Sequence, residues 1–255
     1  MKNGFSRILG RLWFPLTLVA LWQIALSSSK NPFFPTPLTI LRNTQSVISL
    51  DWARTSLLSS LITLFAGYFI GSTLGVVLGA IIGINERVRV VLNPIANFIR
   101  SIPSVAKVPV LMALMGIGTA TRISAVAVAV LFPVLMASMR AIATTDDQLM
   151  DISKIMHYSK YQVLLKVRIP AATGEILAGL HAAVQIAVLV MVISEMLGSG
   201  IGLGAFIIHS QSSFMIADMW VGILVLGVIG SILNELFQFA ERRIAPWYFK
   251  SKELA

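Results

Sequence analysis

The chain has 255 residues, of which 56% are hydrophobic and 12% charged, whereas soluble domains carry about a quarter charged residues; a soluble globular core cannot hide this much apolar surface. A net charge of +9 raises nucleic acid as a partner, but the cations are sorted by side of a membrane rather than gathered in one patch. With no cysteine, disulfides and thiolate metal sites are excluded.

Six nearly uncharged segments follow one another: Leu12 to Leu26, Leu57 to Ile84, Val108 to Ile117, Ile123 to Met139, Ile176 to Leu197 and Met219 to Phe239. Several exceed the roughly 20 residues a helix needs to cross a ~30 Å hydrocarbon layer. Lipid satisfies no backbone group, so each span must be helical, and the alternation of a β-barrel is absent. The predicted fold is an all-α polytopic membrane domain of about six transmembrane helices covering residues 1–255. Placing both termini on the cytoplasmic side puts 14 of the 20 cations there, while Lys30, Arg42, Arg54 and Arg122 fall outside. Lys2, Arg7 and Arg11 ahead of a short apolar run that ends at Ser27 to Ser29 also fit a cleavable leader. Trp13 and Trp22 favour a retained, interfacially anchored helix.

After the first span, the proline-rich stretch Asn31 to Thr39 predicts an outer loop, and Leu41 to Leu50 a short interfacial helix. In the second span Gly67, Gly71, Gly75, Gly79 and Gly83 recur every fourth residue and form one stripe. It serves tight helix packing, and is compatible with a sliding surface. The third hydrophobic region carries Pro94, Pro103 and Pro109 with Arg100 and Lys107, so a continuous lipid-facing helix is not expected there. Broken, charged segments persist at membrane depth where they face protein or water, which makes this region a candidate translocation path; a kinked helix whose Arg100 snorkels to the interface is the plainer alternative.

Lys107 is the sharpest residue of that region, because an ammonium near the bilayer core needs a partner or a function. Either it faces the path and attracts an anion, or it pairs with Glu195. Tyr68, Gln185, Ser194 and Glu195 are further polar side chains on spans; each either bonds a neighbouring helix or lines the path. Glu195, just ahead of Gly198 to Gly204, is also placed to position the outer loop. His157, His181 and His209 lack metal-ligand spacing, no GxxxxGK[ST] phosphate loop is present, and no catalytic constellation appears. The chain is therefore read as no enzyme, with no metal or cofactor of its own.

The connection at residues 142–172 is long and polar. Asp146, Asp147 and Asp151 precede Lys160, Lys166 and Arg168, which suits a helix dipole, and Pro170 stops the segment. This stretch resembles the EAA motif of ABC importer permeases, in which EAA is followed by glycine and then I-x-L-P. The matching positions are Asp151, Ile152 and Ser153, then His157 at the glycine, then Val167, Ile169 and Pro170. The resemblance extends over nearly the whole chain to the nitrate, sulfonate, taurine and bicarbonate branch. It is carried by Phe34 to Pro37, Gly75 with Leu78 and Gly79, Asn93 with Pro94, Arg100 to Pro103 and Pro109, and Gly116 to Gly118. Pro170 to Ala172, Ile176 to Leu180, Glu195 to Gly198, Gly202 to Gly204 and Glu241 to Arg243 complete it.

The resemblance implies a type I ABC importer permease fold in a bacterial inner membrane. It implies a transmembrane subunit that forms the path for a small anionic solute delivered by an external binding protein. Two cytoplasmic ATPases would bind ATP and Mg, and a second permease subunit, in a homodimer, would complete the assembly. Asp151, Ile152, Ser153, His157, Val167, Ile169 and Pro170 would lie at or beside the ATPase contact, and His157 in place of glycine would alter a close turn. A secondary transporter or channel without ATP is the rival reading. It gives no reason for an inner segment with EAA spacing.

Overall fold

The structure is a computed structural model that describes residues 3–28, 31–198 and 200–246. Lys2, Ser29, Lys30, Lys250 and Lys252 of the sequence pattern lie outside them. The helices in order are α1 (Asn3–Ser27), α2 (Pro37–Val47), α3 (Leu50–Trp52), α4 (Ser59–Ile84), α5 (Glu86–Ser101) and α6 (Lys107–Met115). There follow α7 (Thr119–Ala143), α8 (Asp147–Ile155), α9 (Lys160–Val163), α10 (Ile169–Gly198), α11 (Leu203–Ser212) and α12 (Ile216–Ile244). π-helical turns at Ala53–Leu58 and Leu164–Arg168 join α3 to α4 and α9 to α10.

Four of these helical runs are long and apolar enough to cross a membrane: Arg54–Ile84, Thr119–Ala143, Lys160–Gly198 and Ile216–Ile244. The third hydrophobic region is broken, as its prolines require. α5 ends at Ser101, Pro103 opens a 3-10 turn, and α6 leaves at 81° to α5, so the pair makes at most one bent span. The apolar part of α1, Trp13–Ser27, is a shorter helix. About six spans were expected, and the observed four to five with this shorter helix agree approximately.

Local chemistry sets the ends. Thr36 accepts a hydrogen bond from the Thr39 N–H (3.3 Å), and Pro37 occupies the first turn, so α2 starts four residues earlier than the apolar pattern indicates. Asn85 caps α5 through the N–H groups of Arg87 and Val88. Gly116, at φ 77°, ends α6 in a conformation that L side chains avoid.

At the centre lies α7, with 67% of its apolar window buried against 33% for α4 and for the α9–α10 run. Lipid tails are as apolar as leucine, so helix pairing here depends on close backbone approach rather than on escape from water. All five stripe glycines face α7. A Cβ built on Gly75 would sit 2.8 Å from Val134 Cβ, and one on Gly79 2.6 Å from the Leu135 carbonyl oxygen. α7 also packs on α10, and Ala183, Ala187 and Val190 of α10 share one buried cluster with Val126, Val130 and Val134.

Candidate functional site

The polar segment between α7 and α10 is held by caps at each of its joints. Asp146 accepts from the Gln148 N–H (2.8 Å) and starts α8. The helix ends in a paired closure: the His157 N–H donates to Lys154 O (3.0 Å) and the Tyr158 N–H to Ser153 O (3.1 Å). This is the Schellman arrangement, and it puts His157 at φ 53°. Ser159 and Gln162 then form a capping box that starts α9.

With its backbone fixed in this way, α8 exposes apolar side chains. Ile152 is 53% and Ile155 77% exposed, with Leu149 and Met156 beside them. Ser153 is buried and donates to Met150 O (2.7 Å). Ile152, Ser153, Val167 and Pro170, four of the seven residues taken from the EAA pattern, line one cleft of about 250 Å³ with Leu149 and Tyr158. Ile169 lies elsewhere, against the buried cluster of Ala141, Ile142, Ala172 and Ile176. Asp151 stands on the exposed face and pairs with Lys154 at 2.8 Å, a contact that raises the Lys154 pKa, mainly through the hydrogen bond.

Lys107 begins α6 just past the bend. Its ammonium lies over the Phe132 ring of α7, 5.3 Å from the centroid. Lys107 does not pair with Glu195, which faces a different cation. Its carboxylate lies 3.6 Å from Arg122 Nη1, accepts from Ser60 Oγ (2.8 Å) and accepts from the Gly204 N–H (3.0 Å). Ser60 in turn accepts from the Leu203 N–H, and Arg122 donates to Ile201 O (3.1 Å). This buried network ties the starts of α4 and α7 to the end of α10 and the start of α11, at the end of the bundle opposite α8. It seats the loop at Gly200 and Gly202, whose φ values of 62° and 112° require glycine.

Tyr68 donates to Leu180 O (3.0 Å) from α4 to α10. Ser194 is buried and donates to Met191 O, whereas Gln185 is exposed on α10. The structure does not gather Lys107, Tyr68, Gln185 and Glu195 into one site. His181, by contrast, is half-buried on α10 with Nε2 2.8 Å from Asn234 Oδ1 and Nδ1 3.3 Å from Glu241 Oε2 of α12. No group of three His, Cys, Asp or Glu side chains among the described residues could hold a metal.

A capped, apolar knob stands at one end of a helix bundle whose third span is broken, and the segment that carries it is the one that resembles the EAA motif. Comparison with known proteins agrees: residues 71–250 match the family model of the binding-protein-dependent transport system inner membrane component. The chain belongs to that family. It is similar to the nitrate import permease protein NrtB of Synechocystis sp., 25% identical over 238 residues that span 90% of this chain and 86% of the relative. It is also similar to the carnitine transport permease protein OpuCD of Listeria monocytogenes, 33% identical over 161 residues, 63% of this chain and 72% of that one. Its fold matches a chain of the MetNI methionine ABC transporter in an inward-facing conformation. The TM-score is 0.63 and the identity 21%, covering 79% of this chain and 99% of that one. It is an ABC importer permease, a multi-pass membrane subunit that works with an ATPase and a substrate-binding protein.

Two parts of this permease are not legible in the residue order. Arg122 reads there as one of the outer cations, yet it is 2% exposed and paired. Ser60, its neighbour in the network, is 135 residues from Glu195 in sequence. No periodicity or motif links such positions, and the only hint was that a carboxylate inside an apolar span requires a counter-charge. The His181–Asn234–Glu241 bridge is invisible for the same reason.

Proposed function

We propose that this permease forms the translocation path of an ATP-driven importer for a small anion, and that its α8 segment is the contact through which a cytoplasmic ATPase dimer, carrying ATP and Mg, drives it. Both termini and α8 then lie on the cytoplasmic side, a second copy of the chain completes the membrane part, and the opposite end receives the binding protein. The observation that carries the reading is the set of exposed apolar side chains on α8 and at its C-terminal cap, Leu149, Ile152, Ile155 and Met156. They sit on a short helix with polar caps at a water-facing end of the bundle. Exposed apolar groups on a rigid element are a protein-docking surface rather than a lipid one when they stand beyond the spans. A carrier that works without ATP has no use for such a surface.

ATP binding moves the ATPase grooves, the grooves move α8, and the rigid run from α9 through α10 carries that motion into the bundle. The permease needs only two packings of similar energy whose balance its partners shift. For the solute, Lys107 supports an anion: its ammonium stands beside the bend of a broken span, and none of the ion pairs among the described residues includes it. A relative named for nitrate fits this charge; the relative named for carnitine makes solute charge the point to measure.

The test is co-purification of the permease with its ATPase and solute-stimulated ATP hydrolysis. Ile152→Asp and Ile155→Asp, which add charge without touching the caps, should abolish both while leaving the solubilised permease folded. Retention of the ATPase and of coupled hydrolysis in these variants would refute α8 as the contact.

A further inference from the structure

The half of α12 nearer α8 is held to the bundle by little apolar packing. Of the apolar window of α12 17% is buried, against 67% for α7, and a Cβ built on Gly227 or Gly230 would meet no atom within 4 Å. The outer half is fixed by its neighbours: a Cβ on Gly222 would stand 2.7 Å from Ile207 of α11, and Asp218 accepts a hydrogen bond from the Asn43 amide of α2. The inner half instead borders a cavity of about 200 Å³ lined by Leu64 and Tyr68 of α4, Val184 of α10, and Leu233 and Phe237 of α12. Apolar packing is therefore incomplete between α4, α10 and α12, and lipid gives two apolar helices no reason to stay paired.

A polar tie fills that role. His181 of α10 presents Nε2 to Asn234 Oδ1 at 2.8 Å and Nδ1 to Glu241 Oε2 at 3.3 Å, while its ring stacks on Phe237 at 5.2 Å. Glu241 is buried, and among the described residues no other ion pair includes it; a buried carboxylate is costly without such a partner. Asn234 and Glu241 are seven residues apart, so they share one face of α12 and stand about 10 Å apart along its axis. Contacts two turns apart, one from each ring nitrogen, oppose both sliding and swinging of α12, because either motion lengthens one of them beyond hydrogen-bond reach. Apolar contact alone sets no such register. α10 belongs to the continuous run that starts at Lys160 beside α8, so a displacement of α8 is passed to His181.

We propose that His181 is a positioning residue of the transport cycle: it makes the inner half of α12 follow α10 when the ATPase displaces α8. The inference rests on α8 as the ATPase contact and is independent of which solute is carried.

The test uses the complete transporter, permease with its ATPase, in lipid. Glu175→Cys on α10 and Phe239→Cys on α12, both exposed in a chain that otherwise has no cysteine, take spin labels before the ATPase is added. Labelled copies are diluted with unlabelled ones, so that electron paramagnetic resonance reads only the distance within one chain. With ATP and vanadate, the wild type should keep the distance it shows without nucleotide. His181→Phe keeps a stacked ring and removes both polar contacts. With nucleotide, a second and longer distance should then arise, populated at least about fivefold above wild type, the low end of the coupling a conformational link supplies. H181F strands Glu241, so H181F/E241L, which leaves no unpaired carboxylate, carries the test if H181F fails to assemble. An unchanged distance in H181F/E241L, or a nucleotide-driven shift in the wild type, overturns the proposal. So does a longer distance already present without nucleotide, which would mark a tie that only stabilises the fold. Ile152→Asp separates the two readings. Loss of the ATPase from I152D with an unchanged distance in H181F/E241L sinks this inference alone, whereas an ATPase retained by I152D removes the α8 contact and this inference with it.

Discussion

His157→Gly should tighten the end of the coupling helix. At φ 53° the Cβ of His157 crowds the following carbonyl, a conformation that costs an L residue about 1–2 kcal/mol and glycine nothing. Glycine brings an opposing cost of about 0.4–1 kcal/mol, because it frees the unfolded segment. The net gain is about 0.5–1 kcal/mol, a two- to fivefold shift in the local opening equilibrium. It acts locally, since the ring of His157 is exposed and no hydrogen bond of its side chain is lost. Hydrogen exchange reads it directly, because the two amides that close the motif, His157 N–H on Lys154 O and Tyr158 N–H on Ser153 O, exchange only when the closure opens. Protection of those amides should rise two- to fivefold in H157G, stay near wild type in H157A, and fall in H157V, whose branched side chain tolerates positive φ least. Coupled transport should be kept or improved in H157G. Equal protection in the glycine and valine variants would refute the argument from backbone strain, and loss of coupling in a better-protected H157G would show that the imidazole itself meets the partner.

Arg122→Met should be among the most damaging substitutions, because it strands the 1%-exposed Glu195 without its cation; breaking a buried pair costs about 3–5 kcal/mol. Thermal unfolding in detergent should fall sharply, and R122M/E195Q should recover part of the loss. On the glycine stripe, Gly79→Ala puts a Cβ 2.6 Å from the Leu135 carbonyl oxygen and should lower stability by about 1–3 kcal/mol. Gly227→Ala on α12, where no atom lies within 4 Å, should be neutral or slightly stabilising. Lys107→Met or Lys107→Gln should weaken uptake of an anionic solute in a vesicle assay while sparing expression, and unchanged kinetics would remove Lys107 from the path. The hydrogen bond from Asp151 raises the Lys154 pKa above its ordinary value, so the lysine keeps its charge through neutral pH and loses it at a more alkaline pH than a free lysine does. Asp151→Asn should therefore speed acylation of Lys154 at about pH 9, read by mass spectrometry.

What the residue order by itself determined is local. Runs of uncharged residues marked the spans, because bilayer thickness sets a length and lipid permits only helix. Pro103 marked the break between α5 and α6, since proline cannot continue a helix. Asp146, Asp147 and Asp151 ahead of Lys160, Lys166 and Arg168 marked a polar helical segment. The spacing from Asp151 to Pro170 marked the segment that presents α8. Even the glycine stripe declared that some backbone comes close. Only the tertiary structure decided which one: α7, through Val126, Leu135 and Met139. It also decided that Arg122 belongs to Glu195, that Lys107 rests on Phe132, and that His181 bridges α10 to α12. The physical reason is that inside a membrane the hydrophobic effect no longer selects partners. Small residues and scattered polar groups do so, and their pairing distances run to a hundred residues or more, beyond the reach of any periodicity.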